Sequence, residues 1–441
     1  MQRDLLFWIW LAESLGPKNR DFRRLIVLYE SAYEIFHADA SEIERIEQIT
    51  ERTKTVLSNK SLERATRIYE ECERRGIGIL AYGDRRYPDR LREIADPPVV
   101  LYYIGELPDF NERLCIGMVG TRNMSAYGMQ TAYKIAYELT ACGALVVSGM
   151  AAGIDGVAAA SAILAGGKTV AVLGCGPDVL YPKFHKKLME RIRQNGIILS
   201  EYPPGTKPNY YHFPVRNRII SGLSQGTVVV EAGSKSGSLI TARDAIAQGR
   251  DVFAVPSNVN SVGAQGTNVL LREGANFVFE TADILSHYRF LYGEQLDEAR
   301  LHPATFNNEV MHELARLGVI ELVRGDENVP VSQPRVPSEK VERSAPVDRV
   351  KRHREKPKDV PAVETRTEPT PVEARHAPNS ILNTLTPVQQ AVMQAIPDDR
   401  PITADALCGL DFPQGEIIGA LTMLEIYGVV RKLPGALYTK V

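Results

Sequence analysis

The sequence predicts an α/β protein built on a doubly wound, mostly parallel sheet, and two observations carry that prediction. Six short runs between residues 110 and 288 are almost continuously apolar, as strands buried on both faces must be. They alternate with stretches of helical periodicity, the mark of strand–helix–strand units. The runs are 114–119, 144–148, 169–173, 197–201, 227–231 and 251–255, and the stretches 127–142 and 237–248 supply crossover helices. In such sheets ligands bind beyond the carboxyl ends of the strands, so those loops are where function is to be sought.

The regions around the sheet differ in composition. With 441 residues, 44% hydrophobic and 24% charged, the chain is ordinarily globular and has room for roughly two to four domains. Residues 1–75 read as a helical domain, with Leu25, Leu28, Tyr29, Ala32 and Tyr33 at three- and four-residue spacing. Residues 76–109 form a connector rich in Gly, Pro and Tyr, and 110–288 hold the sheet. A helical extension, 289–324, has no role that the sequence assigns. Residues 325–378 contain nine prolines and no Leu, Ile, Met, Phe, Tyr or Trp. Such a stretch cannot bury enough apolar surface to fold and predicts a disordered linker. Its basic run Arg349-Val350-Lys351-Arg352-His353-Arg354 is either a solvated stretch or a nucleic-acid contact. From 379 to 441, a capping box (Thr386-Pro387-Val388-Gln389), two further helical patterns and a hairpin-like stretch 429–438 predict a winged-helix domain. Its recognition helix, 414–427, holds Glu416 and Glu425 but no Lys or Arg, so it suits protein contacts better than a duplex groove.

Charge and cysteine usage exclude several classes. A formal net charge of −2 rules out a histone-like polycation, so any nucleic-acid contact must come from local clustering. No apolar run approaches the roughly 18 to 20 residues that span a bilayer, and membrane insertion is not expected. The short apolar stretch 5–12, flanked by Asp4 and Glu13, reads as a core helix rather than a signal peptide. Five scattered cysteines without a C-x-x-C pair argue against disulfides and zinc, and for the cytoplasm. Neither His185 nor His212 has a nucleophile or carboxylate at a catalytic spacing. Asp155 and Glu231 are explained by a helix cap and an arginine partner. The expectation is a protein without catalysis, metal or cofactor.

The loops after the strands carry the chemistry. The first, Gly120-Thr121-Arg122-Asn123-Met124-Ser125, combines small residues, a planar cation and a Ser able to cap the next helix, a combination that suits phosphate. The second, Ser148 through Gly156, is explained equally by a tight turn capped by Asp155. The third, Gly174-Cys175-Gly176-Pro177-Asp178-Val179, has Val179 where a dinucleotide fingerprint needs its third glycine. The fourth gathers Tyr210, Tyr211, Phe213, Arg216, Asn217 and Arg218 within nine residues. Aromatic faces stack unpaired bases while arginines track the backbone. A structural reading, with aromatics in the core and arginines paired to carboxylates, remains open. The fifth, with Ser236, Gly237 and Ser238 at a helix entrance, offers a second anion cradle.

Together these loops resemble those of the DprA/Smf family, the DNA-processing proteins of bacterial natural transformation. The resemblance covers about 76–285 and rests on an ordered set of matches. These include Tyr87-Pro88, Asp96-Pro97-Pro98, Gly120-Thr121-Arg122, Ser148-Gly149-Met150, Gly153-Ile154-Asp155 and Ser200-Glu201-Tyr202-Pro203-Pro204-Gly205. They continue through Phe213-Pro214, Arg216-Asn217-Arg218-Ile219-Ile220, Ser236-Gly237-Ser238 and Gly266-Thr267-Asn268. It implies an extended Rossmann-like domain that binds and protects single-stranded DNA, forms a homodimer and loads the RecA recombinase. It also implies a SAM-like helical N-terminal domain and often a winged-helix C-terminal one. Carried over, the DNA contacts fall on Gly120, Thr121, Arg122, Ser125, Lys183, Phe213, Arg216, Asn217, Arg218, Ser236, Gly237 and Ser238. The chain departs from the family pattern at Ala152, Ala159 and Ser257, where Arg, His and Gly are usual. Two other readings of the pocket are a nucleoside-monophosphate phosphoribohydrolase of the lysine-decarboxylase-like type and a sensor of a small nucleotide. The first lacks its acid, since Thr241 stands where that motif has Glu.

Overall fold

The apolar runs become strands of one sheet. In chain order these are β1 (Gly78–Ala81), β2 (Val100–Gly105), β3 (Cys115–Val119), β4 (Leu145–Ser148), β5 (Thr169–Leu173), β6 (Ile197–Ser200), β7 (Gly226–Val229), β8 (Asp251–Ala254) and β9 (Asn276–Phe277). The structure is a computed structural model that describes residues 2–322 except 262 and 264, then 386–397 and parts of 402–440. It divides into two units, Met1–Asp348 and Arg349–Val441.

The sheet runs in the order β1-β2-β6-β5-β4-β3-β7-β8-β9. From β6 to β9 every pairing is parallel, while β2 is antiparallel to both β1 and β6. The predicted connector 76–109 is therefore corrected in part. Its Gly, Pro and Tyr content conceals two strands that extend the sheet as an antiparallel edge. The chain leaves β3 toward β4, β5 and β6, then returns to place β7 on the opposite flank of β3. That reversal is a topological switch point, where the loops after β3 and β7 diverge and leave a crevice.

Both faces of the sheet are covered. One core, including Ile116, Met118, Val146, Ala171 and Leu173, lies against the helices Ala126–Ala141, Ile154–Leu164 and Lys186–Asn195. The other, including Cys115, Val119, Val147, Val172 and Leu199, lies against His212–Leu223 and Ser238–Ala247. The N-terminal helices build a third core around Ile9, Phe22, Leu25 and Leu57 that continues onto Val100 and Tyr102 of β2. Their predicted apolar stripe does not run through. Glu30, at φ 58°, ends the helix Asp21–Tyr29 and Ser31 caps a new one, which leaves Leu28 and Tyr33 about half exposed.

The extension left without a role straps back over the sheet domain, burying Leu296, Leu314, Leu317, Val319 and Ile320 in the first core. Its last helix, Asn308–Arg316, ends where Gly318 turns the chain at φ 81°. In the second unit the capping box forms: the Thr386 hydroxyl accepts from the Gln389 N–H at 3.4 Å, and the Gln389 side chain accepts from the Thr386 N–H at 2.9 Å. Strands β10 (Ile402–Thr403), β11 (Val430–Leu433) and β12 (Leu437–Lys440) pair in the order β10-β12-β11. The linker 325–378, and much of the helix predicted over 414–427, lie outside the described residues. No helix among the described residues is long and apolar enough to cross a membrane.

Candidate functional site

At the switch point the loops enclose an open cavity of about 720 Å³. Gly120, Thr121 and Arg122 enter it from β3, Ala151 and Asp155 from beyond β4, and Gly233 through Thr241 from beyond β7. The helix His212–Leu223 contributes Phe213, Pro214, Arg216 and Asn217. Backbone bonding sets the first loop. The Thr121 N–H donates to the Glu231 carbonyl at 2.7 Å, and the Thr121 carbonyl accepts from the Ile154 N–H at 3.2 Å. Gly153 is required beneath this loop, since at its φ of 81° a Cβ would lie 2.3 Å from the Thr121 carbonyl oxygen. On the far wall the Ser236 and Ser238 hydroxyls bond each other at 2.8 Å, and the first turn of the helix Ser238–Ala247 lines the cavity. The N–H groups of that turn are bonded within it, Ser238 to the Ser236 hydroxyl at 3.4 Å and Leu239 and Ile240 to the Ser236 and Gly237 carbonyls at 3.2 and 3.1 Å, so what it offers an anion is the positive end of the helix dipole.

Arg216 forms the floor. Its side chain is buried, and Nη1 donates to the Gly149 carbonyl at 2.8 Å and to the Val172 carbonyl. Its Nε has no hydrogen-bond partner among the described residues. Burial lowers the Arg216 pKa, against which Asp155 pulls upward. Asp155 is itself buried and accepts from the Gly149 N–H at 3.1 Å; burial raises its pKa, while Arg216 and Arg122 draw it down. At the rim, exposed Arg122 lies 5.6 Å from the Phe213 ring centroid, and Phe213 stacks on Tyr181 at 5.2 Å. Tyr210 and Tyr211 are 71% and 68% exposed, so neither ring belongs to the core, and Tyr210 lines the cavity. The site thus pairs cations with the exposed ring of Tyr210 and the stacked ring of Phe213.

The structure brings together Gly120, Thr121, Arg122, Phe213, Arg216, Asn217, Ser236, Gly237 and Ser238. It leaves out three predicted residues. Arg218 is 1% exposed and its guanidinium is held by Glu201 at 2.7 Å and Asp96 at 3.3 Å. Burial alone would lower its pKa, but the two carboxylates outweigh it and the net shift is upward. Ser125 is engaged elsewhere: its N–H and hydroxyl bind the Glu231 carboxylate at 2.9 and 3.1 Å, and its oxygen caps Gly128 at 3.0 Å. Glu231, expected to neutralise an arginine, holds this loop instead. Lys183 is exposed next to Phe184, which lines a small crevice beside the cavity, but does not itself line either. Gly120 is present for packing, since a Cβ there would lie 2.5 Å from Ile154. His212, part-buried, has its Nδ1 3.1 Å from the Gly174 carbonyl and stacks on Tyr202 at 4.0 Å.

Two lining cations escaped the sequence reading, Lys235 and Arg243. Lys235 stands inside the fifth loop, where the small hydroxyl residues around it dominate the pattern. Arg243 follows the lining residue Leu239 by four positions, the spacing that returns to one helix face.

Comparison with known proteins bears on this region. A model of the family described as DNA recombination-mediator protein A matches residues 78–289, which include every residue lining the cavity. The DNA processing protein DprA of Bacillus subtilis is 43% identical over 218 residues, 49% of this chain and 73% of that protein. That of Streptococcus pneumoniae is 44% identical over 207 residues, 47% of this chain and 73% of that protein. The X-ray structure of the Streptococcus pneumoniae protein is similar with a TM-score of 0.57 at 33% identity, over 64% of this chain and 97% of that one.

Proposed function

This chain belongs to the DprA/Smf family of DNA recombination-mediator proteins, and from that premise we propose that its switch-point cavity grips single-stranded DNA. The observation that carries the reading is the union of charge and bare rings in one opening. Arg122, Lys235 and Arg243 line it, Arg216 closes its floor, and Tyr210 and Phe213 offer faces for bases. Phosphates would lie against the cations and the first turn of Ser238–Ala247, whose helix dipole favours negative charge. Unpaired bases would stack on the aromatics, at about 1–3 kcal/mol each. A duplex, whose bases are already stacked, has no use for those rings.

The role is that of a non-catalytic mediator in the cytoplasm, protecting incoming strands, loading RecA and working as a homodimer. No cofactor is needed for it. The cavity also matches the volume of a nucleotide site, but Thr241 is 1% exposed and carries no acid–base group near neutral pH. Titration of oligo-dT against a duplex of the same length, with mass measured in parallel, tests the reading. The single strand should bind preferentially, with log affinity falling against log salt at a slope near about −3 if four phosphates are engaged. Equal or stronger duplex binding, or a slope near zero, would remove the proposal. Free adenine released from AMP would favour the hydrolase instead.

A further inference from the structure

The helix Lys186–Asn195 carries cations that neither the cavity nor the fold uses. Its inner face is Leu188, Met189 and Ile192, all buried. Outward it shows Lys186, Lys187, Arg191 and Arg193, all exposed, against a single carboxylate, Glu190. No carboxylate among the described residues pairs with any of the four. In a chain of net charge −2, such a concentration is a local feature rather than a reflection of bulk composition.

These cations border a groove. Lys187, Glu190, Arg191 and Gln194 line one wall, and Arg316 and Leu317 of the C-terminal strap line the other, around about 470 Å³. Arg316 keeps Glu313 as a partner at 2.8 Å. The strap is held closely against the chain that enters this helix, because Gly318 lies where a Cβ would meet the Phe184 carbonyl oxygen at 2.1 Å. Phe184 in turn lines the crevice that adjoins the DNA cavity. The turn Lys183–His185 leads directly into the helix, so groove and cavity are joined through three residues. The helix also connects parallel strands β5 and β6, so its N-terminus lies at the cavity end of the sheet and its axis leads away. Lys187 and Arg191 are one turn apart on the same face, a step of about 6 Å.

We propose that this groove is a second footprint for the DNA backbone, taking the phosphates of the strand as it leaves the cavity past Tyr181 and Phe184. The proposal rests on the single-strand reading of the cavity. No aromatic lines the groove, so it would follow the backbone without reading bases. A protein partner fits less well, because protein interfaces are anchored by buried aromatic or aliphatic residues and this groove offers only Leu317. The strap thereby acquires a role, as the wall that turns one helix face into a channel.

The test is length dependence in the full chain. Fluorescence anisotropy is measured with oligo-dT of about 6 and about 24 nucleotides, chosen to fill one footprint or to exceed it. The variant Lys187→Gln/Arg191→Gln should bind the short strand as wild type does. It should bind the long strand about tenfold more weakly, with a salt slope shallower by about 1.4 for the two lost phosphates. Lys187→Arg/Arg191→Lys, which keeps the charge, should restore long-strand binding. Wild-type-like binding of both lengths by the double Gln variant overturns the groove and leaves the cavity reading intact. Equal loss on both lengths also overturns it, by placing these residues in the cavity contact. Failure of the wild type to bind either strand removes the cavity reading itself, an outcome visible before any variant is made.

Discussion

Arg216 and Arg218 share a residue type and a motif yet have opposite fates. Two residues on a helix are about 200° apart, so one cannot face a cavity without turning the other into the protein. The charge cluster was legible in the sequence; that both arginines are buried, with Arg216 at the cavity floor and Arg218 paired, depended on where Asp96 and Glu201 arrive, and those come from distant segments. Removing one member of a buried ion pair strands the other's charge, typically at about 3–5 kcal/mol. Arg218→Gln should therefore lower unfolding free energy by about that amount, whereas Arg122→Ala should cost under about 0.5 kcal/mol and weaken oligo-dT instead. Denaturant melts alongside binding curves for both variants would expose the contrary pattern.

His185 gives a second residue-level expectation. It is fully buried with Nδ1 3.1 Å from the Met150 carbonyl, and burial pushes its pKa down to about 4. The unfolded imidazole titrates near about 6.5, so between that pH and about 4 the unfolded chain binds a proton that the folded chain refuses. Stability is then complete above about 6.5 and falls as pH drops, by up to about 3 kcal/mol. Melts of wild type and His185→Gln at several pH values isolate this residue from the carboxylates that titrate in both. The difference between them should move against the wild type on acidification, and parallel curves would contradict a neutral, shielded ring.

At the level of elements, the six central strands were readable to within a residue or two because burial on both faces keeps them almost continuously apolar, with only small hydroxyl residues such as Ser148 and Thr169 between. β1 and β2 were not, since Gly78, Gly105 and nearby prolines and tyrosines make an edge look like loop. The contact between the end of β4 and the helix His212–Leu223 was equally invisible, because it joins segments far apart in sequence. Its tightness is measurable. A Cβ at Gly149 would lie 2.1 Å from Arg216 Nη1, so Gly149→Ala must displace the guanidinium or the strand end. Overpacking of this kind costs about 1–3 kcal/mol, which a stable sheet tolerates. Gly149→Ala should fold, melt slightly early and lose oligo-dT affinity much as Arg216→Ala does. Full affinity in a folded Gly149→Ala protein would remove Arg216 from the binding floor.

For the whole molecule, strand order was beyond the sequence: alternation implies a parallel sheet but does not say that β7 returns beside β3. That return creates the cavity, and it makes loops separated by more than a hundred residues into one surface. The C-terminal unit stands in contrast, because its charge can be read without its placement. Residues 379–441 contain six carboxylates and four cations, so they contribute −2 to a chain whose total is −2. Ending the chain at 378 brings the formal charge to zero and removes no concentration of cations. If the cavity holds the strand, the shortened protein should bind oligo-dT within about twofold of the full chain, at a salt slope that does not change. Duplex affinity should be equally insensitive, since a helix reading a groove needs cations for the phosphates and 414–427 has none. A tenfold loss of duplex binding on truncation would instead make this unit a DNA reader, and would require its contacts to come from Arg400, Arg431, Lys432 or Lys440, the four cations it possesses.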